Sequence, residues 1–337
     1  MKVIQNERSI QRERKFIQAM AGLNHSHLVK CLAGWTYDSK FYMIYELASC
    51  NLEEFMQDRM ESHQPRGIAE SMFVKQLCGL AAALRVIHCQ GEDSEISKDT
   101  YLGVPRSDNK KTGYIHDLKP ENILVFMSSE TVQSFRISDF SCAKVVDFVA
   151  SVSGKRRSHL TTSKSGTPIY RAPESMGGAT SRPYDLWSLG CVYLELLVWF
   201  FDGYRALEVF RNERVELVHP HGAEDEGFYS MIDEGPDAKM RLRKPVLNKI
   251  EELSARSGGS LKEIVNIIPD LLKIAPEERL TATALVKKLR ELNTGADLTF
   301  PSPSTTALLA PAPMTLPAPA EESDIEPNGF VVVEDYS

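Results

Sequence analysis

Apolar positions along this chain recur at two spacings, and the switches between them mark out its elements. Met1-Lys-Val-Ile4 reads as a strand fragment, and the next segment as a helix with Phe16, Ile17 and Met20 on its apolar face. Glu13, three residues before Phe16, falls on that same inward face. Phe41-Tyr-Met-Ile-Tyr-Glu-Leu-Ala48 is an apolar strand running into a short connection, and Asn51 to Met60 begins a helix. Ala69 to His88 is a longer helix, because Phe73, Leu77, Leu80, Ala81, Leu84 and Ile87 repeat at helical spacing; His88 at its end is expected to pack rather than to do chemistry. Tyr184 to Phe201 stays apolar on every face, as a buried helix does. Two stretches carry no period. Gly91 to Gly113 is polar and charged and is expected to be an exposed insertion. From Asn293 onward Pro and Ala dominate and acids follow, which predicts a disordered tail; its Phe330-Val-Val-Val333 reads as a chance apolar cluster rather than a docking motif.

Charge sharpens this division. The net charge is -7, and seven acids with no Lys or Arg lie from Asp297 to the end, so the remainder carries 39 acids against 39 basic residues. A balanced body offers no electrostatic reason to expect nucleic acid as a main partner. No run of eighteen apolar residues occurs and the N-terminus lacks an apolar signal core, so no membrane association is expected and the compartment expected is intracellular, cytoplasm or nucleus. Cys31, Cys50, Cys78, Cys89, Cys142 and Cys191 lack the paired spacing of a zinc site or a disulfide framework.

The candidate chemistry lies between the two long helices. Tyr114-Ile-His-Asp-Leu-Lys-Pro-Glu-Asn-Ile-Leu-Val125 is followed by Ile137-Ser-Asp-Phe-Ser-Cys-Ala143, and then in order by Gly166-Thr-Pro-Ile-Tyr-Arg-Ala-Pro-Glu174, Tyr184-Asp-Leu-Trp-Ser-Leu-Gly-Cys191 and Ala275-Pro-Glu-Glu-Arg-Leu-Thr281. Over about residues 2 to 292 this ordered set resembles the eukaryotic-type protein kinase family, in its Ser/Thr form. The resemblance implies an α+β, two-lobed fold with an incomplete small β-lobe and a mainly helical large lobe. Its parts would be residues 1–48 as small lobe and hinge, 49–292 as large lobe with the insertion, and 293–337 as tail.

The resemblance also implies roles. Asp117 and Lys119 would be catalytic, and Asn122 and Asp139 would hold Mg2+ and contact ATP. Lys2 would pair with the nucleotide phosphates and with Glu13. The hinge would hold adenine through the backbone of Glu46 and Ala48, with Leu124 lining the pocket and Tyr45 facing it. Asp185 would hold the catalytic-loop backbone, and Arg279 with Glu174 would form a buried structural pair.

Four features depart from the family pattern. His116 stands where an activating-phosphate-reading Arg is usual, Ser141 replaces the Gly after Asp139-Phe140, Glu13 lies far from the Leu23-Asn-His-Ser-His-Leu-Val29 motif, and no Gly-rich loop precedes Lys2. Ser141 is expected to restrict the turn that aims Asp139. Thr161, Thr162, Ser163 and Ser165, near Lys155, Arg156 and Arg157, are candidate phosphosites. The chain as written is expected to be an N-terminally truncated kinase domain whose first strand is an unpartnered sheet edge. The expected activity is ATP-dependent phosphorylation of protein Ser/Thr hydroxyls; the alternative is a weak or inactive kinase-like scaffold. Sequence leaves the protein substrate and the oligomeric state open.

Overall fold

The computed structural model of the chain describes residues 2–4, 6–20, 25–38, 40–58, 68–89, 111–129, 131–147, 167–177, 181–218, 223–232, 239–291 and 333–334. The candidate phosphosites, their basic neighbours, most of the predicted insertion and nearly all of the predicted tail lie outside these residues.

A small sheet begins the fold. It contains β1 (Lys2–Ile4), β2 (Cys31–Tyr37) and β3 (Lys40–Tyr45), with α1 (Glu7–Met20) packed against it. β1 and β2 both pair antiparallel with β3. Ile4, Ile10, Phe41 and Met43 form a small apolar cluster of their own, while Phe16, Leu28 and Val29 already belong to the main core. β4 (Cys50–Asn51) leads into α2 (Leu52–Asp58). That helix starts where the sequence Asn51-Leu-Glu-Glu54 permits a reciprocal cap: Asn51 Oδ1 accepts the Glu54 amide and Glu54 Oε2 accepts the Asn51 amide, both at 2.9 Å.

The main core is built around α3 (Glu70–His88) and α4 (Arg182–Asp202). Between them in sequence lie β5 (Lys111–Tyr114), the hairpin of β6 (Ile123–Ser128) and β7 (Thr131–Ile137), and β8 (Lys144–Asp147). α4 is long and apolar enough to cross a membrane by composition, but 89% of the relevant window is buried inside the protein, so it is a core helix. Gly203, at φ +83°, ends it in a conformation that favours glycine. Its fully buried Glu195 is held by Arg214, Arg211 and the Tyr170 hydroxyl, and Arg211 reaches on to Glu53 of α2. α5 (Tyr204–Glu213), β9 (Glu216–Val218), β10 (Ala223–Asp225), β11 (Tyr229–Met231), β12 (Met240–Leu242), α6 (Lys244–Arg256), α7 (Gly259–Leu271) and α8 (Ala282–Glu291) complete this helical body. Arg279 reaches both Glu174 oxygens at 2.7 Å, joining the α7–α8 connection to the 3-10 turn Pro173–Gly177. The architecture is α+β in two lobes, the smaller one carrying the small sheet.

Two expectations fail here. Lys111 to Gly113 is not exposed insertion: it belongs to β5, paired antiparallel with β8, and buried Thr112 donates its hydroxyl to the His88 carbonyl at 2.8 Å. Nor is β1 an open edge. β13 (Val333–Glu334), from the predicted tail, pairs parallel with it, Lys2 opposite Val333 and Val3 opposite Glu334, so the sheet order is β13-β1-β3-β2. An unpaired row of backbone donors and acceptors is a template for another strand, and here Val333 and Glu334 pair with it.

Candidate active site

Strand pairing sets the site. In the β6–β7 hairpin Ile123 lies opposite Ile137, so the residues just outside the two strands, Asn122 and Ser138-Asp139, emerge side by side. Ser138 reinforces this by donating both its amide and its hydroxyl to the Asn122 carbonyl at 2.9 Å. The preceding loop is fixed from below by Asp185 of α4, whose carboxylate accepts the Ile115 and His116 amides and His88 Nε2, each at 2.9 Å. Burial alone would raise the Asp185 pKa; the His88 hydrogen bond and charge and the His116 contacts outweigh it and hold the group below the ordinary range.

Asp117 is held in place on both oxygens. Its Oδ1 accepts the Thr167 amide and hydroxyl at 2.9 Å, its Oδ2 accepts Asn122 Nδ2 at 3.1 Å, and Lys119 Nζ stands 3.8 Å away. Asn122 Nδ2 also donates to the Asp117 carbonyl at 2.9 Å. Carboxylate, amide and ammonium thus converge on one place.

From the other lobe, Lys2 Nζ donates to Asp139 Oδ1 at 2.7 Å and to Glu13 Oε2 at 3.0 Å, and the Tyr45 hydroxyl donates to Glu13 Oε1 at 2.9 Å. The long spacing to Glu13 is therefore no obstacle to the Lys2 pair. Burial opposes the Lys2 charge, but Glu13 and then Asp139 more than offset it, leaving its pKa above the usual lysine value. Glu13 is fully buried, and desolvation, helped by the Asp139 charge, pushes its carboxyl up despite Lys2. For Asp139, burial is outweighed by Lys2 and Ser141, so its carboxyl sits below the ordinary range. The nearer and more exposed carboxylate takes the larger share of the ammonium's charge.

One expectation about a substituted residue is corrected, and one is sharpened. The left-handed backbone at the Asp-Phe-Ser turn falls on Asp139, φ +52°, and not on Ser141, whose amide donates to Asp139 Oδ1 at 3.0 Å. Ser141 therefore supports the turn that aims Asp139. His116, at φ +66°, is 1% exposed between the rings of Tyr114 and Tyr184, and desolvation lowers its pKa to about 4. Near neutral pH it carries no charge, so it does not replace a phosphate-reading Arg.

Glu46 spends its side chain on Arg136 of β7, which also lies over the Phe126 ring. Ala48 and Leu124 are half-buried, and Ser49 donates its amide to the Val125 carbonyl at 2.9 Å, anchoring the segment beside β6. Asn122 and Asp139 offer hard oxygen donors. Among the described residues no group of three or more His, Cys, Asp or Glu could hold a metal ion. Sequence reasoning missed Thr167, although the Gly-Thr-Pro motif was in view, and missed His88 as a partner of Asp185; each is set by a contact across many residues.

The comparisons with known proteins bear on the family. The family model described as protein kinase domain matches residues 109–289. Homeodomain-interacting protein kinase 4 of Homo sapiens is 24% identical over 340 residues, covering 85% of this chain and 50% of that protein. Meiosis induction protein kinase IME2/SME1 of Saccharomyces cerevisiae is 25% identical, covering 81% of this chain and 42% of that protein. Cyclin-dependent kinase 2 of Caenorhabditis elegans is 25% identical, with 87% and 69% covered. The chain spans about half the length of the first of these relatives. The matched family span covers more than half of the chain and contains the loop of Asp117, the strand pair that sets Asn122 beside Asp139, and the helix that anchors them: the chain belongs to the protein kinase family.

Proposed function

We propose that this chain transfers the γ-phosphoryl group of ATP to Ser or Thr hydroxyls of protein substrates. One observation carries the reading: Asp117 is clamped by Thr167 and by Asn122, and Asn122 is itself held beside Ser138-Asp139, whose carboxylate pairs with Lys2. In this reading Asp117 orients the acceptor hydroxyl and receives its proton, and Lys119 places positive charge where the phosphoryl group passes. Asn122 and Asp139 would hold Mg2+. Lys2, steadied by Glu13, would contact the nucleotide phosphates, with the Glu46 and Ala48 backbone and Leu124 holding adenine at a hinge that ends the small lobe at Ala48. Mg-ATP, when bound, supplies the phosphoryl group and neutralises charge on it. The Ser/Thr preference rests on the Asp-Leu-Lys-Pro-Glu-Asn form of the loop, and the compartment proposed is cytoplasm or nucleus.

Asp117→Asn tests the assignment. Loss of a positioned base lowers the rate by roughly a hundred- to ten-thousand-fold. Unchanged magnesium-dependent phosphorylation in that variant would remove Asp117 from the mechanism.

A second reading, a non-catalytic binding protein on this fold, is favoured by one contact. Asp139 Oδ1 already accepts both Lys2 Nζ and the Ser141 amide. If those donors are not displaced, no metal ion takes that oxygen. A thermal-shift titration with Mg-ATP separates the two readings, since the kinase gains stability with ligand and the scaffold does not.

A further inference from the structure

Tyr45, the last residue of β3, brings a neutral hydroxyl into the charged cluster around Lys2. We propose that Tyr45 is a positioning residue: its hydroxyl latches the Glu13 carboxylate inward, so that Lys2 is held between Glu13 and Asp139 rather than by Asp139 alone. What the latch does for a nucleotide rests on the kinase reading; the latch itself does not.

Packing fixes the hydroxyl independently of Lys2. Phe41, Met43 and Tyr45 alternate along β3 onto the face that meets Ile10 and Ile17 of α1. The Tyr45 ring packs against both this small cluster and the main core, and its backbone is paired with Cys31 of β2. Glu13 therefore receives donors from two strands: Tyr45 of β3 at 2.9 Å on Oε1, and Lys2 of β1 at 3.0 Å on Oε2. Lys2 itself lies nearer Asp139, at 2.7 Å. The hydroxyl has a single proton to give. Met43 Sδ, 3.2 Å away, is a weak acceptor beside a carboxylate, so that proton goes to Glu13. Desolvation and the Glu13 charge hold the Tyr45 phenol well above its ordinary pKa, so it remains a donor at neutral pH.

The consequence follows from burial. Glu13 is 0% exposed, so it has no bulk water to replace a lost donor. A phenylalanine would fill the same space, and the hydroxyl adds only the hydrogen bond. Without it the carboxylate keeps one ammonium that is shared with a nearer partner, and a buried carboxylate short of donors turns away. Lys2 then falls to Asp139 alone.

Tyr45→Phe in the full chain, without nucleotide, tests the latch. Acylation of Lys2 by an N-hydroxysuccinimide ester, followed by peptide mass spectrometry, reports how firmly its ammonium is held; Lys288, paired with Asp270 in the large lobe, is the control. Lys2 should be labelled roughly three- to tenfold faster and Lys288 at the same rate, as expected when a hydrogen bond to a charged group is lost. An unaltered rate at Lys2 overturns the proposal. Hydrogen exchange across Lys40–Tyr45 should stay as it was; faster exchange there would show loosened packing instead of a lost latch, and also overturns it. Adding Tyr45→Phe to Glu13→Met, which removes the acceptor at similar volume, should change Lys2 labelling no further, and an equal acceleration in both backgrounds counts against the latch. If Glu13→Met does not fold, labelling and exchange in Tyr45→Phe decide alone. In the kinase reading the same variant weakens Mg-ATP binding several-fold, and unweakened binding overturns the link to nucleotide. If the parent chain binds no Mg-ATP, the kinase reading fails while labelling still answers for the latch.

Discussion

One small residue shows how tightly the core behind the site is packed. A Cβ on Gly79 of α3 would lie 2.1 Å from the ring of His27, whose Nδ1 meets the Phe135 carbonyl at 2.7 Å. Gly79→Ala should therefore push His27 off that carbonyl and lower stability by about 1–3 kcal/mol, the range for overpacking a filled interior. Chemical denaturation checks this, and an unchanged midpoint would mean the ring moves aside without cost. Asp117, Lys119, Asn122 and Asp139 were legible because they sit in two short runs of fixed spacing. Thr167 and His88 were not, since nothing local shows that one would reach Asp117 fifty residues away and the other Asp185 ninety-seven residues away.

At the scale of elements, helices that bury a whole face were readable and strands defined by their partner were not. α3 and α4 follow their apolar spacing, and the start of α2 follows its capping residues. β5 has no such signal: Lys-Thr-Gly-Tyr neither alternates nor carries a run of β-branched residues, and it is a strand because β8 lies beside it. The Thr112 hydroxyl ties it to the end of α3. Replacing Thr112 by Val removes that bond and leaves a buried carbonyl with less to accept, so thermal stability should fall by about 0.5–1.5 kcal/mol. Unchanged stability in the isosteric variant would show that the hydroxyl is incidental. β13 was missed for the same reason as β5, its pairing partner lying at the opposite end of the sequence.

The whole molecule should be acid-sensitive well above the range where carboxylates titrate. His27 and His116 are buried, and desolvation lowers both pKa values to about 4, while in an unfolded chain they take up protons near pH 6.5. Between those values the unfolded state binds more protons, so stability rises with pH and is lost as pH falls from about 6.5 toward 4. Melting temperature measured across that window should drop on acidification, and His27→Asn should flatten the slope; a level profile would mean these imidazoles are solvated.

The joint between the lobes has a mechanical consequence. Just beyond α1, the Val29 amide donates to the Ile137 carbonyl at 3.0 Å and the Ile137 amide to the His27 carbonyl at 2.9 Å, which fastens this segment two residues from Asp139. Phe16 of α1 also stacks on Phe140, centroids 4.5 Å apart. α1 is therefore fastened at Phe16, one helical turn from Glu13, so Glu13 and Asp139 approach Lys2 from two elements that are clamped to each other.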